Sequence, residues 1–446
     1  MLIRNACIVD LAQGTVTEDG FCYIDGSTIA SVGSGSMGKS HGHGRHGGAF
    51  RDNEEIIDAD GAYLIPGLVN LHAHTAMAPL RGAAEDVTPE DWFNKYVWIF
   101  EKNLTPQDVY WGTLLGALEM LTSGVTCVAD HYFHMDHAFR AFQRSGIRAN
   151  IAQAVFGVGD DASRKLSEAV AFTEDYHNAD PRITVSMGPH SPYLCPDDFL
   201  RKVVEEAERI GVRMHIHVSE TAKQVQASLS QHGKTPVQVL KDTHVLRGGT
   251  LLAHAYHATD DDISLIRDSG GVVAHCPTTY MRFGDMTDFL PRAQKARLVL
   301  GLGSDGAASN STMSLFRTAR DAAILSKLAT GNPEEGSLGA ILPLLTAGGR
   351  ALGLPNYGEV RPGAPADLVL IRKNTPAMNP GYSAAADLLY AIQEHNVDTV
   401  LVDGKIVVKR GRHVSIDHKT VYEKNRELVE RITQRTSDVP IQTFAG

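Results

Sequence analysis

The chain has 446 residues and a formal net charge of −10, from 42 lysines and arginines against 52 aspartates and glutamates. It has no long run of basic residues, which argues against nucleic acid or an anionic membrane as a partner. A content of 43% hydrophobic and 21% charged residues is typical of a globular protein. The length allows an α/β barrel, which takes about 250 residues, together with a smaller unit.

The cysteines and the first residues indicate the compartment. The five cysteines are scattered and form no C-x-x-C pair, which argues against a disulfide framework and a thiolate zinc site. The opening MLIRNACIVD has no charged segment followed by an apolar one, and no apolar run approaches the length of a membrane span. We therefore expect a protein of the reducing cytoplasm that acts on a small molecule.

Between residue 66 and about residue 330, short β-branched segments alternate with longer amphipathic ones. The eight segments with a strand pattern are LVNLHAH, VTCVADHYF, IRANIAQAVF, ITVSMGPH, VRMHIHVSE, TLLAHAYH, GVVAHCP and ARLVLGLGSD. Strands that alternate with helices indicate a parallel sheet, and eight such units favour a (β/α)8 TIM-like barrel. A doubly wound open sheet is the alternative, but it usually has fewer strands, and no G-x-G-x-x-G follows a strand here.

The two ends of the chain are β-rich and contain turn signals such as Asp403-Gly404. Neither end is large enough to be a domain alone, so we expect a small β-sandwich domain built from both. The predicted divisions are residues 1–62 for its first half, 63–357 for the barrel, and 358–446 for its second half with an amphipathic tail helix. The Gly/Ser/His tract of residues 33–47 predicts a mobile loop without a catalytic part.

Polar residues of the kind that bind metals or transfer protons recur where the predicted strands end. They are His72, His74, His190, His217, Glu220, His254, His257, His275 and Asp305. Catalytic groups of a barrel sit at the carboxyl ends of its strands, so these side chains are expected to meet. His72 and His74 are two residues apart and would project from the same face of their strand.

Part of this set matches a metal centre. His72, His74 and His217 would supply three imidazoles and Asp305 a carboxylate, a combination suited to zinc or ferrous iron with a position left for water. Such a metal lowers the pKa of a bound water molecule. Glu220 lies three residues beyond His217, just past the strand, where it could protonate a substrate.

A further histidine with a predicted role in proton transfer is His254, on the next strand. It is placed to orient the water and relay a proton in concert with Asp305, and the alternative is a metal ligand or a supporting residue. A second metal would need a bridging group such as a carboxylated lysine, but the strand segments between residues 125 and 190 contain no lysine. We therefore predict one divalent metal, zinc, with ferrous iron as the alternative.

Five segments together resemble one protein family over nearly the whole chain. They are PGLVNLHAHTAM, GPHSPYLCPDD, HIHVSETAKQVQASLSQHGKTPVQVL, LLAHAYH and GLGSDGAASNS. They are similar to the amidohydrolase superfamily, in the branch of methylthioadenosine/S-adenosylhomocysteine deaminases and triazine hydrolases. The resemblance implies a homo-oligomer, with Glu220 and His254 as the proton-transfer pair. It implies the same metal ligands as the spacing does, namely His72, His74, His217 and Asp305.

The resemblance also implies residues that bind the substrate. Glu101, in WIFE, corresponds to a glutamate that holds the ribose hydroxyls of adenosine-type substrates, and His190 faces the nucleoside. Arg164, in GDDASR, corresponds to an arginine that holds an amino-acid tail. A second tail-binding arginine is missing from AQAVFG. In HCPTTYMRFGD, Tyr280 and Arg282 replace an asparagine and a lysine of the family, which makes both candidates for altered substrate binding.

These residues predict hydrolytic deamination of an amino-substituted nitrogen heterocycle. The resemblance implies an adenosine-type nucleoside, 5′-methylthioadenosine or S-adenosylhomocysteine. The first alternative is an aminohydrolase or chlorohydrolase of a triazine, pterin or other free base. The alternative of another class is a non-catalytic binding protein with the same fold.

Overall fold

The computed structural model describes residues 1–35 and 55–436. Its strands are β1 (Leu2–Val9), β2 (Val16–Asp25), β3 (Thr28–Ser34), β4 (Ile56–Asp58), β5 (Tyr63–Pro66), β6 (Leu68–His74), β7 (Val125–Tyr132), β8 (Arg148–Val155), β9 (Ile183–Pro189), β10 (Arg213–Val218), β11 (Leu251–His254), β12 (Val272–His275), β13 (Val299–Leu302), β14 (Asp305–Gly306), β15 (Leu368–Ile371), β16 (Val397–Val402), β17 (Lys405–Lys409) and β18 (Arg412–His413). Most of the Gly/Ser/His tract, residues 36–47, lies outside the described residues.

Helices of very different lengths connect these strands. They are α1 (Pro89–Asp91), α2 (Trp98–Glu101), α3 (Pro106–Thr122), α4 (Met135–Ser145), α5 (Ala162–Tyr176), α6 (Asp197–Ile210), α7 (Ala222–His232), α8 (Pro236–Asp242), α9 (Asp260–Ser269), α10 (Pro277–Arg282), α11 (Phe289–Lys295), α12 (Ala307–Asn310), α13 (Leu315–Thr330), α14 (Leu338–Ile341), α15 (Leu344–Ala351), α16 (Ala384–Ala386) and α17 (His418–Arg435). Within the described ranges, no helix is both long enough and apolar enough to cross a membrane.

Strands β6 to β13 form a parallel sheet in chain order. Strand β14 continues from β13 after two intervening residues and pairs with β6, with Asp305 opposite Ala73 and Gly306 opposite His74. The first and last strands therefore meet. The closed barrel confirms the predicted fold class, and all eight predicted strands are present.

The outer helices cover the barrel with one apolar face each. Helix α6 is an example, because Leu200, Val203 and Ala207 are buried whereas Glu205 is exposed. This spacing of three or four residues places the apolar side chains on one side of a helix. Gly211 then adopts a φ of +83°, which ends the helix and returns the chain to β10.

The chain ends form a separate mixed sheet, as predicted. Its path is β18-β17-β16-β15-β5-β1-β2-β3, with β4 beside β1. The Ile29 N–H donates to Ala364 O at 2.8 Å, so β3 meets the segment just before β15 and the sheet curls over a core of its own. The predicted divisions at residues 62/63 and 357/358 stay a prediction, and β5 pairs in this sheet.

Buried ion pairs join the small sheet to the barrel. Arg148 on β8 binds Asp367 through Nε at 2.9 Å and Nη2 at 3.1 Å, and it binds Asp403 at 2.7 Å. Helix α17 lies where the tail helix is predicted; it packs on α3, and its Asn425 Nδ2 donates to Trp111 O at 3.1 Å. The C-terminal part of the small sheet and α17 are thus anchored on the barrel.

Candidate metal and active site

A cavity of about 460 Å³ opens at the carboxyl ends of the barrel strands. Strand-end residues from across the barrel reach it, as predicted. Those that line it are His74, His190, His217, Glu220, His254 and Asp305, and Glu101 from α2 joins them. The fold therefore brings most of the predicted site residues together in one place.

Two imidazoles in this cavity are held in a fixed orientation. His74 Nδ1 donates to His131 O at 2.5 Å, and His217 Nδ1 donates to His190 O at 2.9 Å. A ring that donates from Nδ1 and is neutral carries a lone pair on Nε2. The two Nε2 atoms lie 3.3 Å apart, so two lone pairs face each other. A cation held between them would bind both lone pairs and remove their repulsion.

His72 and Asp305 complete the cluster. His72 is fully buried, and its Nδ1 lies 2.9 Å from His215 Nε2, while its Nε2 has no hydrogen-bond partner among the described residues. Asp305 Oδ1 lies 3.6 Å from His72 Nε2 and 3.3 Å from His74 Nε2. Atoms about 2.0 to 2.1 Å from one tetrahedral ion lie about 3.3 to 3.4 Å from each other. The donor set and its spacing thus fit a single divalent metal.

Burial keeps two imidazoles of the cluster, those of His72 and His217, neutral. It lowers the pKa of His72 to about 3 and that of His217 well below the usual value. Desolvation disfavours the charged form of a base, and only the neutral ring can bind a metal. For Asp305, burial acts to raise the pKa, but the adjacent His72 and the other nearby imidazoles hold it below the usual range.

The second oxygen of Asp305 is held by two hydroxyl groups that the sequence did not single out. Thr279 Oγ1 and Ser309 Oγ each donate to Asp305 Oδ2 at 2.9 Å. These bonds leave Oδ1 directed at the imidazoles. Asp305 itself has a φ of +58° and His254 a φ of +74°, a region that residues other than glycine rarely adopt. Such local strain is often found at functional sites.

Glu220 and His254 face each other across the cavity. His254 Nε2 lies 3.8 Å from Glu220 Oε1, and Glu220 is half-buried. Gln224 holds Glu220 at two points, since its Oε1 accepts the Glu220 N–H at 3.1 Å and its Nε2 donates to Oε2 at 3.5 Å. The arrangement suits a proton transfer to and from a bound molecule.

Three further residues near the metal cluster were not predicted. His215 supports His72, and it lies two residues before His217 on the same strand, a spacing that could have revealed it. His131 supports His74 through its carbonyl group. Asp130 accepts hydrogen bonds from Thr75 N at 2.7 Å and Thr75 Oγ1 at 2.6 Å, and burial raises its pKa to about 6.

The predicted substrate-binding residues divide into two groups. Glu101 and His190 line the cavity, and burial raises the pKa of Glu101 to about 7. Arg164 does not reach the cavity, because its side chain is 60% exposed and is paired with Asp161 and Glu168 on the surface of α5. The assignment of Arg164 to an amino-acid tail therefore has no support in this geometry.

Tyr280 and Arg282, the two candidates for altered substrate binding in HCPTTYMRFGD, also lie outside the cavity lining. Arg282 forms an ion pair with Glu85. Tyr280 is buried, and its hydroxyl group lies 3.3 Å from His254 Nδ1. Tyr280 therefore contacts a predicted proton-transfer residue instead of the space for a ligand. Its loop does contribute to the cavity through Phe283.

The closed barrel and this cluster define a barrel protein with a divalent-metal centre. Residues 63–407 match the family model described as Amidohydrolase family, and the chain belongs to that family. It is 36% identical over 437 residues to a 5-methylthioadenosine/S-adenosylhomocysteine deaminase of Desulforudis audaxviator, covering 97% of this chain and 99% of the relative. A protein of the same name from Pelotomaculum thermopropionicum is 36% identical over 439 residues, with 98% and 99% covered.

Solved structures give the same picture. An adenosine deaminase from Xanthomonas campestris with bound zinc superposes with a TM-score of 0.89 at 26% identity, covering 97% of this chain and 98% of that one. A zinc complex of the atrazine chlorohydrolase TrzN from Arthrobacter aurescens TC1 has a TM-score of 0.86 at 24% identity, with 96% and 99% covered. The similarity to the chlorohydrolase shows a shared fold alone.

Proposed function

We propose that this protein is a metal-dependent hydrolytic deaminase of an adenosine-type nucleoside, 5′-methylthioadenosine or S-adenosylhomocysteine. The observation that carries the proposal is the meeting of Glu220, His254 and Asp305 with Glu101 in one cavity. The names of the relatives that match nearly the whole chain agree with it. The non-catalytic alternative is disfavoured, because every predicted metal-binding and proton-transfer residue is present.

We assign His72, His74, His217 and Asp305 as the metal ligands. Zinc is the proposed metal, since the similar Xanthomonas campestris structure contains zinc, and ferrous iron is the alternative. A divalent metal held there acts as a Lewis acid and lowers the pKa of a water molecule at the site. The support for the four ligands is the convergence of their unshared electron pairs, together with the unpartnered Nε2 of His72.

The residues of the chain supply the proton transfers of the reaction. Water adds to the ring carbon that carries the amino group, while Glu220 delivers a proton to the adjacent ring nitrogen. His254 and Asp305 take up the proton that the water releases and pass it to the departing amine. The carbon–nitrogen bond then breaks and ammonia leaves. The oxygen stays on the ring as a carbonyl group, and the proton that it loses returns to Glu220.

Glu101 is the proposed ribose-binding residue. As a carboxylate it has two acceptor oxygens, which match the two vicinal hydroxyl groups of a ribose. It lines the cavity together with His190, whose ring stacks on Phe156 with centroids 4.8 Å apart. A flat heterocycle can pack beside this pair of rings.

The test is ammonia release by metal-replete protein from a panel of amino-substituted heterocycles. The panel contains adenosine, 5′-methylthioadenosine, S-adenosylhomocysteine, guanine, cytosine, a pterin and melamine. We expect turnover of the adenosine nucleosides. Turnover of a free base alone would instead support the aminohydrolase alternative, and no turnover of any compound would support the binding protein.

The cellular compartment of the protein and its oligomeric state also stay proposals. A reducing cytoplasm is supported by the five cysteines, all of which are free and buried. The homo-oligomer implied by the family resemblance is tested by the mass of the protein in solution.

A further inference from the structure

We propose that this enzyme selects nucleosides whose 5′-substituent is uncharged, so that 5′-methylthioadenosine is preferred over S-adenosylhomocysteine. The inference rests on the proposed function and narrows its substrate class. It comes from the side chains that surround the cavity beyond the metal cluster. An aromatic wall and a shortage of available cations together define what the cavity accepts.

The aromatic wall is formed by rings from four segments of the chain. Its members are Trp92, Phe93, Trp98, Phe133, Phe156 and Phe283. Trp98 stacks on Phe93 with ring centroids 5.9 Å apart and meets Phe156 edge-on at 6.1 Å. Trp98 remains 38% exposed, so part of its apolar surface is available to a ligand.

The charged groups of the cavity are mainly negative. Among the described residues that line it, Glu90, Glu101, Glu220 and Asp305 are carboxylates, and the only lysine or arginine is Lys223. Lys223 is already bound to Glu90, with Nζ 2.5 Å from Oε2, and its side chain is 79% exposed. It therefore lies at the mouth of the cavity with its charge paired.

Arg164 and Arg282 do not make the charge of the cavity less negative. Arg164 is paired with Asp161 and Glu168 on the surface of α5, and Arg282 is paired with Glu85. Neither lines the cavity. Among the described residues around the cavity, an amino-acid tail would thus find no unpaired cation for its carboxylate.

The two candidate substrates differ in what their 5′-substituents require. The homocysteine tail of S-adenosylhomocysteine carries a carboxylate and an ammonium group, and moving such charges out of water is unfavourable without partners. A contact with the exposed Lys223 would replace one solvated ion pair by another, which contributes little. The methylthio group is apolar and gains free energy when it is buried against aromatic rings.

The experiment compares kcat/KM for three nucleosides with the metal-replete protein. They are 5′-methylthioadenosine, S-adenosylhomocysteine and 5′-(n-butylthio)adenosine, which has a tail of similar length without charges. We expect S-adenosylhomocysteine to be about tenfold or more poorer than 5′-methylthioadenosine, because its charges are unpaired. The butylthio compound should be deaminated better than S-adenosylhomocysteine, since it has a tail of similar length without the charges.

Variants test the two cations that could serve the tail in solution. In Lys223→Met and Arg164→Met the ratio of the two natural substrates should equal that of the parent, as it should in the control Lys165→Met. Lys165 is a suitable control because it follows Arg164 in the chain and is paired with the same Asp161. A selective loss of S-adenosylhomocysteine turnover in either test variant would overturn the inference.

The outcome for the parent protein separates the two proposals. Deamination of all three nucleosides with S-adenosylhomocysteine at parity or better would overturn this inference and leave the proposed function standing. Absence of ammonia release from all three would overturn the proposed function, and the inference with it.

Discussion

Tyr280 Oη lies 3.3 Å from His254 Nδ1, and the same oxygen accepts the Cys276 N–H at 3.2 Å. The Cys276 backbone thus holds the tyrosine hydroxyl group, which in turn fixes the His254 ring, whose Nε2 is directed towards Glu220. Tyr280 is itself held by Tyr256, with ring centroids 3.6 Å apart and an angle of 12° between the planes. A residue that departs from the family pattern thus orients a predicted proton-transfer group.

Tyr280→Phe should lower kcat with little change in KM. The variant keeps the ring but loses one hydrogen bond, which is worth about 1 kcal/mol and corresponds to a five- to tenfold decrease. Steady-state kinetics on 5′-methylthioadenosine measures the effect. Tyr256→Phe is the matched control, because its hydroxyl group accepts the Thr287 N–H at 2.8 Å and does not contact His254. Equal kcat values in parent and Tyr280→Phe would contradict the positioning role.

Glu220→Gln should abolish most turnover and retain the metal. The amide cannot deliver a proton to the ring nitrogen, and loss of a general acid costs about 10²- to 10⁴-fold in rate. Ammonia release and metal content are measured on the same preparation. Glu205→Gln, on the exposed side of α6, serves as the control. Full activity of the Glu220 variant would refute its assigned role.

Removal of the metal should stop turnover, and one equivalent of zinc should restore it. The apoprotein should also melt at a lower temperature, since an ion that binds only the folded state stabilises it. Dialysis against a chelator followed by titration with zinc or ferrous iron gives both results. His72→Asn should fail to regain activity at the same concentrations. Turnover that persists in protein free of metal would remove the basis of the assignment.

The affinity for nucleosides should fall as the pH decreases through 7. Burial raises the pKa of Glu101 to about 7, so below that pH the group is protonated and loses acceptor capacity for the ribose hydroxyls. The KM of the parent should therefore rise on the acidic side and be lowest above pH 7. Glu101→Gln should have a higher KM that changes little between pH 6 and about 8. A parent KM that is flat across this interval would argue against ribose binding by Glu101.

Arg148→Met should destabilise the protein strongly. It leaves the buried Asp367 and the half-buried Asp403 without their partner, and breaking a buried ion pair costs about 3 to 5 kcal/mol. Urea unfolding measures the free-energy change. Arg4→Met breaks an exposed pair with Asp58 and should cost less than about 1 kcal/mol. Similar decreases in the free energy of unfolding of the two variants would show that the ion pairs of Arg148 are not needed to join the sheet to the barrel.

The strand pattern explains why so much of the fold and the metal cluster could be predicted. Each apolar β-branched segment can be recognised as a strand from its own sequence, and parallel strands place their carboxyl ends on one face of the barrel. That rule alone brings His72, His217 and Asp305 to the same place. The rule does not identify His215, because this residue lies on the same strand as His217 but two residues further from the carboxyl end.

The predictions that lacked support concern side chains on the helices that follow strands. The family pattern places Arg164 at the start of α5, but the direction of the side chain depends on its neighbours there. Asp161 and Glu168 lie one helical turn away on either side and attract the guanidinium group. The position of Tyr280 depends in the same way on how α10 packs, which no local pattern encodes.

The pairing of β14 with β6 has a consequence for the order of assembly. Asp305 enters the ring of strands beside Ala73, between the two histidines of the first strand. The proposed metal ligands are therefore contributed by both sides of the seam, and they come together only when the last strand has docked. We therefore expect the metal to bind only after the barrel has closed. A partly synthesised or open chain lacks the complete set of ligands.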